Sequence, residues 1–235
     1  MTGKPLARLR SNSSRFHLER VNREFASKIP AGSLVLDAAA GDQPYRHLFL
    51  HTRYESADFE QVAKEYGCTT YVCDLTAIPV EDERFDYILF NQGLEHMSDP
   101  LAVLLELNRI LKPGGRMLCT APLFYEEHEQ PYDFFRYTQF AYRHMLPAAG
   151  FAVDRIDWLE GYVGTVAYQL EGAARNLPSG VAWWPVRGLF AALSLVFHRI
   201  DMRQRYTDGG YPKNYVVLAT RDGRSDRAPK AREDQ

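Results

Sequence analysis

Cysteine is scarce in this sequence of 235 residues, which has three of them and no C-x-x-C pair. An odd number without paired spacing argues against a disulfide framework and is typical of the reduced cytoplasm. The N-terminus is basic but has no apolar signal core, which argues against secretion by that route. We therefore expect a cytoplasmic protein whose cysteines are core residues.

Charge of either sign is not in excess, because 28 Lys and Arg stand against 30 Asp and Glu, for a formal net charge of −2. The chain as a whole thus has no basic footprint for nucleic acid. No His, Cys or carboxylate spacing resembles a metal site, so we expect chemistry that needs no metal. The expected partner is a small molecule, and the sequence leaves the oligomeric state open.

A chain of this length can bury one substantial core, so we expect a single domain over residues 1–235. Within it, residues 1–30 form an N-terminal helical segment and residues 161–206 a helical insertion. Residues 222–235 are expected to be a disordered tail.

Predicted strands and helices alternate along the first half of the chain. The predicted strands are 33–37, 53–57, 70–73, 84–91, 115–121, 151–159 and 211–220, and the predicted helices are 16–28, 43–50, 60–66, 99–111 and 138–149. Such alternation indicates an α/β fold, with a mostly parallel sheet and helices on both faces.

The segment 35–43 is an apolar run that ends in Asp37 and continues with small residues. This pattern indicates a buried strand that turns sharply into a helix, where backbone N–H groups can approach a ligand closely. Asp58 ends the next strand about twenty residues on, the distance at which a carboxylate can hold two ribose hydroxyls. Asp74 ends a third short strand. The dinucleotide fingerprint G-x-G-x-x-G is absent, which argues against a nicotinamide-dependent oxidoreductase.

Taken in order, these features resemble the class I S-adenosylmethionine-dependent methyltransferases. The resemblance rests on the turn after Asp37, on Asp58 and Asp74, on the strand 85–89, on the turn 92–96 and on the segment 111–115. It covers roughly residues 30–160 and the last strand. It implies a Rossmann-like sheet of seven strands, six parallel and the last antiparallel, with S-adenosylmethionine as the cofactor over the carboxyl ends of the first strands.

The resemblance also implies roles for individual residues. It places Asp37, Ala39 and Gly41 at the methionine end, Asp58 at the ribose, Asp74 and Leu75 at the adenine, and Asn91 and Gln92 beside the methionine and the acceptor. Phe59, next to Asp58, is a further candidate for cofactor binding. The first motif departs from the family, which usually has glycine at the positions of Ala39 and Gln43. Alanine still allows a close turn, whereas the side chain of Gln43 would narrow the pocket.

Titratable and aromatic residues are concentrated in segment 122–138, just after the fifth predicted strand. Ligands of doubly wound sheets bind at this edge, so we expect the acceptor there. His128 is the candidate base, because the ordinary pKa of histidine lies near neutrality. Glu129 and Asp133 are its candidate partners. His96, in the turn after the fourth strand, is an alternative base or a residue that only contacts the ligands.

Three more residues of this region, Tyr132, Arg136 and Tyr137, are candidates for acceptor binding. The segment resembles one found in a subset of these methyltransferases, in which a His-Glu/Gln-x-Pro-Tyr-Asp-x-x-Arg-Tyr-Thr pattern precedes the sixth helix. The structural alternative is that Asp133 and Arg136 form an ion pair while the aromatic residues pack as a lid. Thr138 is the predicted N-cap of the helix that follows.

The aromatic segment 181–200 is interrupted by Pro185 and Arg187, so we expect that it does not span a bilayer. Tryptophans beside a basic residue are typical of an interfacial anchor, and peripheral membrane contact is therefore one hypothesis. A helix that covers the sheet, a dimer contact and an apolar wall of the acceptor site are the others.

The predicted function is methyl transfer from S-adenosylmethionine to a small or medium-sized acceptor. A hydroxyl oxygen of a sugar, a lipid-linked intermediate or a secondary metabolite is favoured, because a histidine and carboxylates suit deprotonation of a hydroxyl. Transfer to carbon on a quinone-like or other apolar acceptor is the first alternative. A cofactor-binding scaffold without catalysis is the second.

Overall fold

A computed structural model describes residues 12–222 of the chain. The strands are β1 (Leu34–Ala38), β2 (Arg53–Asp58), β3 (Tyr71–Val72), β4 (Phe85–Asn91), β5 (Leu111–Pro122), β6 (Phe151–Trp158) and β7 (Asn214–Arg221). The helices are α1 (Ser13–Ala26), α2 (Pro100–Ile110), α3 (Gln139–Ala148), α4 (Tyr162–Asn176) and α5 (Trp184–Arg203). Residues 1–11 and 223–235, and with them almost all of the predicted disordered tail, lie outside the described part.

The seven strands form one sheet in the order β3-β2-β1-β4-β5-β7-β6. Neighbours from β3 to β5 pair in parallel, whereas β7 lies antiparallel between β5 and β6. Strands β2 and β3 extend the sheet on one side of β1, and β4 and β5 extend it on the other side. The order of strands therefore switches direction at β1. Doubly wound sheets bind ligands at the carboxyl edge of such a switch point. The predicted Rossmann-like α/β fold with an antiparallel last strand is confirmed.

The central strands are buried on both faces because both faces carry helices. Leu36 and Ile88 belong to the core cluster under α2 and α3, while Val35 and Leu89 belong to the cluster under α1. Adjacent residues of one strand point to opposite faces, which explains why β4 is almost continuously apolar.

Helix ends follow local capping chemistry. Asp99 caps α2 by accepting a hydrogen bond from the N–H of Ala102 at 3.0 Å, and Pro100 occupies the first turn, where no N–H is needed. The predicted N-cap of α3 is confirmed, since the hydroxyl of Thr138 accepts from the N–H of Ala141. The irregular segment that follows β5 therefore ends at Thr138, where α3 begins.

Two of the predicted helices do not form. Residues 43–50 contain only a short 3₁₀ turn at Arg46–Leu48, and residues 60–66 contain no helix. Gln43 and Glu60 adopt positive φ, of 54° each, at the starts of these segments, and a left-handed residue cannot continue into a right-handed helix. Both segments border the carboxyl edge of the sheet, and residues 60–66 line a cavity there.

The insertion between β6 and β7 is a pair of packed helices, α4 and α5. The buried positions of α5 are polar: Ser194 donates to the carbonyl of Ala167, and Asp201 accepts from the N–H of Gly161. His198 lies beside Ser13, with Nδ1 2.9 Å from its Oγ.

The outward side of α5 is apolar. Trp184, Leu189, Val196 and Ile200 are exposed there. Pro185 stands in the first turn and leaves the helix unbroken, so the predicted interruption is wrong. By length and composition alone, Val181–Arg203 is one stretch of the described chain that could cross a membrane.

Candidate active site

The turn after β1 is formed by left-handed residues. Ala39, Gly41 and Gln43 have φ of 56°, 52° and 54°, a conformation that glycine adopts readily and other residues rarely. A close backbone turn is expected here from the small residues after Asp37. The structure shows that two non-glycine residues take up the same conformation.

Gly93 makes room for the side chain of Ala39. A Cβ atom at Gly93 would lie 2.5 Å from Cβ of Ala39 and 2.8 Å from the ring of Phe90. The methyl group at position 39 therefore occupies space that the turn after β4 leaves free, and the two turns approach closely without glycine at position 39.

Gln43 points away from the ligand edge. Its Nε2 donates to Oγ of Ser56 at 3.1 Å and to the carbonyl of Cys68 at 2.9 Å. The side chain packs against Gly67, where a Cβ would lie 2.7 Å from Cδ of the glutamine. The expectation that Gln43 narrows the pocket is therefore wrong, because burial and hydrogen bonds hold its side chain beside β2.

Asp58, at the end of β2, holds the first turn in place. Its Oδ2 accepts from the N–H of Gly41 at 2.9 Å, and its Oδ1 accepts from the N–H of Glu60 at 3.0 Å. One carboxylate thus joins the ends of β1 and β2 and still faces the cleft.

Asp37 is buried at the end of β1 and accepts a hydrogen bond from the hydroxyl of Tyr54. Burial raises the pKa of Asp37 to about 7, the hydroxyl of Tyr54 opposes this rise, and the charge of Asp58 adds to it. Asp37 can therefore change its charge near neutral pH.

Two adjoining cavities open at this edge. The first, of about 250 Å³, brings together predicted residues at the ends of β1 to β4 with three from the acceptor side: Ala39, Asp58, Phe59, Asp74, Leu75, Gln92, His96, Glu129 and Tyr132. Asp74 accepts from the N–H and the hydroxyl of Thr76, which holds its carboxylate at the rim. Phe59 contacts Tyr132 edge to face, with ring centroids 6.2 Å apart.

The second cavity, of about 490 Å³, joins the predicted methionine end to the predicted acceptor residues. Its lining includes Asp37, Ala39, Gly41, Asn91, Gln92, His96, His128 and Glu129. Ala39, Gln92, His96 and Glu129 line both cavities. The residues expected at the cofactor and at the acceptor therefore meet at one place.

His128 is held by a fixed carboxylate. Asp133 accepts from the backbone N–H of His128 at 2.9 Å, and its Oδ2 lies 3.3 Å from Nδ1 of the ring. Arg136 binds both oxygens of Asp133, at 2.6 and 2.8 Å. The guanidinium of Arg136 and the N–H of His128 hold the pKa of Asp133 well below its usual range. The ion pair of Asp133 and Arg136 considered from the sequence is thus present, and through it Asp133 orients His128.

His96 stands beside His128, with ring centroids 4.7 Å apart. Its Nδ1 lies 2.7 Å from the carbonyl of Tyr132, and its Nε2 is 3.9 Å from carboxylate oxygens of both Glu95 and Glu129. Burial lowers the pKa of His96, while the carbonyl of Tyr132 raises it. Glu129 is paired with Lys64 at 2.9 Å.

Tyr137 does not lie in the predicted acceptor site. It is buried in the core, and its hydroxyl donates to the carbonyl of Leu94 at 3.0 Å. An aromatic residue near a binding segment can serve either the core or the ligand, and here the carbonyl of Leu94 satisfies its hydroxyl within the core.

Several residues at the site were not predicted from the sequence. Asn22 of α1 accepts from Nδ2 of Asn91 at 2.9 Å and so fixes the end of β4. Glu95 is almost fully buried, one of its carboxylate oxygens has no hydrogen-bond partner, and burial raises its pKa to about 8. Glu95, His96 and His128 together could hold a metal ion. No sequence spacing signals such a group, because its members come from two distant segments.

Lys213, just before β7, is a further residue that the sequence did not single out. It lines the second cavity with its Nζ 4.3 Å from the ring centroid of Tyr125 and 4.7 Å from that of Tyr168. Burial lowers its pKa, whereas the charge of Glu160 raises it. This lysine places a buried cation beside two aromatic rings.

Part of the chain is similar in sequence to known methyltransferases. Residues 48–119 match the family model described as a methyltransferase domain. The chain is 31% identical over 136 residues to the ubiquinone/menaquinone biosynthesis C-methyltransferase UbiE of Desulfotalea psychrophila, over 52% of each chain. It is 46% identical over 57 residues to the demethylmenaquinone methyltransferase of Staphylococcus saprophyticus, over 22% of this chain and 24% of the relative. The chain thus spans about half the length of the first of these relatives and about a quarter of the second.

Solved structures share the fold at low sequence identity. A chain in the complex of the Haloferax volcanii Trm112 methyltransferase activator with a methyltransferase has a TM-score of 0.60 at 19% identity, covering 90% of this chain and 91% of that one. The [4+2]-cyclase SpnF has a TM-score of 0.54 at 18% identity, covering 87% and 80%. At this identity the structures show the fold alone.

The strand order is that of the Rossmann-like methyltransferase fold, and residues 48–119 match a methyltransferase domain, so both findings agree with the resemblance to class I S-adenosylmethionine-dependent methyltransferases. The residues present fit that cofactor. The turn at Ala39 and Gly41 leaves the backbone open to a ligand, and the Cβ-free position at Gly93 keeps this turn close to β4. Carboxylates at the ends of β2 and β3 line the same cleft.

The pH dependence of stability tests the buried carboxyl of Asp37. Its pKa of about 7 lies above the value of about 3.9 in an unfolded chain, so its contribution to stability is complete below about pH 4. That contribution is lost as the pH rises through about 7. The variant Asp37→Asn keeps an acceptor for Tyr54 but cannot ionise.

From about pH 5 to about pH 8 we expect the free energy of unfolding of D37N to rise relative to the native protein, by on the order of 2–4 kcal/mol. Urea unfolding of both proteins across this range measures the difference. Parallel pH curves would show that Asp37 does not titrate there.

Proposed function

We propose that this protein is a cytoplasmic methyltransferase that moves the methyl group of S-adenosylmethionine to a hydroxyl oxygen of a small or medium-sized acceptor. The observation that carries the proposal is the meeting of two groups of residues in one cavity. The residues expected at the methionine end line the same space as His128, which Asp133 orients.

When bound, S-adenosylmethionine supplies a methyl group on a positively charged sulfur, which an incoming nucleophile displaces in line. Asp58 and Asp74 would hold the ribose and the adenine, and Asp37 and the turn at Gly41 would face the methionine end. These residues fix the position of the methyl carbon, and positioning supplies much of the acceleration of such a displacement.

The chain's own part in the chemistry is to hold the acceptor oxygen and to take its proton. Because Nδ1 of His128 faces Asp133, its Nε2 is the nitrogen that can accept the proton. S-adenosylmethionine would supply the methyl group and its sulfur would keep the electron pair of the broken C–S bond, while His128 would hold the proton released by the acceptor hydroxyl.

The acceptor has a larger space available beyond the second cavity. A cavity of about 1100 Å³ shares Arg15, Asp42, Tyr45, Tyr125 and Tyr168 with it and extends to α4 and α5. Charged and aromatic groups alternate along this wall. This lining supports an acceptor that is in part polar and in part aromatic or apolar.

Transfer to carbon is the second candidate function. The relatives named for ubiquinone and menaquinone biosynthesis favour it, one of them as a C-methyltransferase. Removal of a proton from a ring hydroxyl also makes the neighbouring ring carbon nucleophilic, so His128 would serve either outcome. The scaffold alternative loses its main support, because Gln43 does not fill the pocket.

Cofactor binding is the first test. Calorimetric titration with S-adenosylmethionine and S-adenosylhomocysteine should give micromolar binding to the native protein. Asp58→Asn should weaken that binding about 10- to 100-fold, because a buried hydrogen bond to a charged group is lost. Asp208→Asn, an exposed carboxylate elsewhere, is the matched control and should bind as the native protein does. No binding by the native protein would contradict the proposal.

Catalysis is the second test. With a hydroxylated aromatic or sugar acceptor found by screening for S-adenosylhomocysteine release, His128→Gln should lower kcat about 10²- to 10⁴-fold and leave cofactor affinity unchanged. His144→Gln changes an exposed histidine on α3 and should have no effect. NMR of the product distinguishes a methyl ether from a ring methyl group. Full activity of H128Q would exclude the assigned role.

We also propose that the outward side of α5 lies against a membrane surface. The buried side of this helix is polar, so its apolar residues are the ones left facing outwards, among them Leu189, Val196 and Ile200. Trp184 is exposed near one end, and Arg199 is exposed near the other. This combination suits an interfacial helix on anionic lipid.

Flotation with vesicles that contain an anionic phospholipid tests this contact. The native protein should float, and Trp184→Ser combined with Val196→Ser should reduce the floating fraction at least several-fold, because apolar area that enters the lipid is lost. Phe140→Ser, on the exposed side of α3, is the matched control. Equal flotation of all three proteins, or none by the native one, would count against the contact.

A further inference from the structure

A cluster of three potential metal ligands lies where the two cavities meet. One ligand atom each from Glu95, His96 and His128 lies within 4.8 Å of the others. His96 lines both cavities and His128 lines the second. The proposed function uses His128 but gives no role to Glu95.

The two imidazole rings are already arranged as metal ligands usually are. Nδ1 of His96 faces the carbonyl of Tyr132 at 2.7 Å, and Nδ1 of His128 faces the carbonyl of Glu126 and the carboxylate of Asp133, at 3.2 and 3.3 Å. A ring that donates from Nδ1 keeps its lone pair on Nε2. Metal-bound histidines typically have such a partner on the other nitrogen, which fixes the tautomer and the ring orientation.

Glu95 supplies a carboxylate that lacks a partner. The residue is 1% exposed, and its Oε2 makes no hydrogen bond although it is buried. A buried polar atom without a partner costs free energy, so a group that binds it is favoured. Its Oε1 lies 3.9 Å from Nε2 of His96, which places this carboxylate beside the histidines.

From this geometry we infer that Glu95, His96 and His128 bind a divalent transition-metal cation. Two imidazoles and one carboxylate are a donor set typical of zinc sites that keep an open position. Tetrahedral zinc with ligand distances of about 2.0–2.2 Å has ligands roughly 3.4 Å apart, so the three side chains need to approach by about an ångström. His96 and His128 line the cavities, where rotation of their side chains can bring them closer to the buried Glu95.

Glu129 completes the surroundings of the cation. Its Oε2 is also 3.9 Å from Nε2 of His96, and its carboxylate is paired with Lys64. Glu129 therefore places a second carboxylate near the proposed cation from the cavity side.

The consequence for catalysis rests on the proposed function, although cation binding itself does not. A hydroxyl oxygen of the acceptor would take the open position, and the cation would lower its pKa so that its proton leaves to water. In this state His128 is a ligand, and the cation takes over the task of the base.

Titration with Co²⁺ tests the site directly. Full-length protein is freed of metal with a chelator and titrated with Co²⁺, whose visible absorption reports ligation, and Zn²⁺ is then added in competition. The native protein should bind one equivalent. Glu95→Gln, which keeps the size of the side chain, and His128→Gln should each weaken binding tenfold or more. His144→Gln should bind as the native protein does.

Two results would overturn the inference. One is that the native protein binds no stoichiometric Co²⁺, and the other is that E95Q and H128Q bind Co²⁺ as tightly as the native protein does, which would mean binding by surface histidines only. Circular dichroism and urea unfolding of each variant show that it is folded. Calorimetry with S-adenosylmethionine on the same samples separates the two proposals. Cofactor binding without Co²⁺ binding overturns the metal site alone, and Co²⁺ binding without cofactor binding overturns the proposed function alone.

Discussion

The hydrogen bond from the N–H of Gly41 to the carboxylate of Asp58 is the contact on which the site depends. It joins the ends of β1 and β2 across a turn in which Ala39 and Gly41 have positive φ, and it holds the carboxylate of Asp58 at the cleft. Without a fixed turn the ends of the parallel strands would still be adjacent, but their polar groups would not converge. The strand order places the carboxyl ends of β1 and β2 side by side, and this hydrogen bond fixes the position of the turn that follows β1.

The acceptor side is fixed in a comparable way by the ion pair of Asp133 and Arg136. The guanidinium also reaches the carbonyls of Tyr125 and Glu126, so one arginine holds several turns of an irregular segment. Asp133 then orients His128 through the ring and the backbone N–H. An irregular segment holds a side chain in one position only if its polar backbone atoms have hydrogen-bond partners, and here an arginine side chain supplies some of them.

Much of this arrangement could be predicted from the sequence, and the parts that could not share a physical reason. Strand β4 and helix α2 have strong apolar patterns, and their ends were predicted to within a residue or two. The position of Asp37 and Asp58 at the ligand edge could be predicted because each lies at the end of a strand. The predicted helices at 43–50 and 60–66 failed because Gln43 and Glu60 take left-handed conformations that no glycine announces. Asn22, Glu95 and Lys213 were missed because their roles arise from contacts with residues distant in sequence. Tyr137 was assigned to the acceptor, whereas packing places it in the core.

The close fit of Ala39 against Gly93 has a consequence for how the sequence of this protein can change. A methyl group at either position uses the same small volume, so only one of the two can carry it while Phe90 keeps its place. Glycine at position 39 would therefore allow a side chain at position 93, whereas a side chain at position 39 requires glycine at position 93. We expect positions 39 and 93 to vary together among close homologues. Where one of them has a larger side chain, the other should be glycine, so that the sum of the two side-chain volumes stays nearly constant.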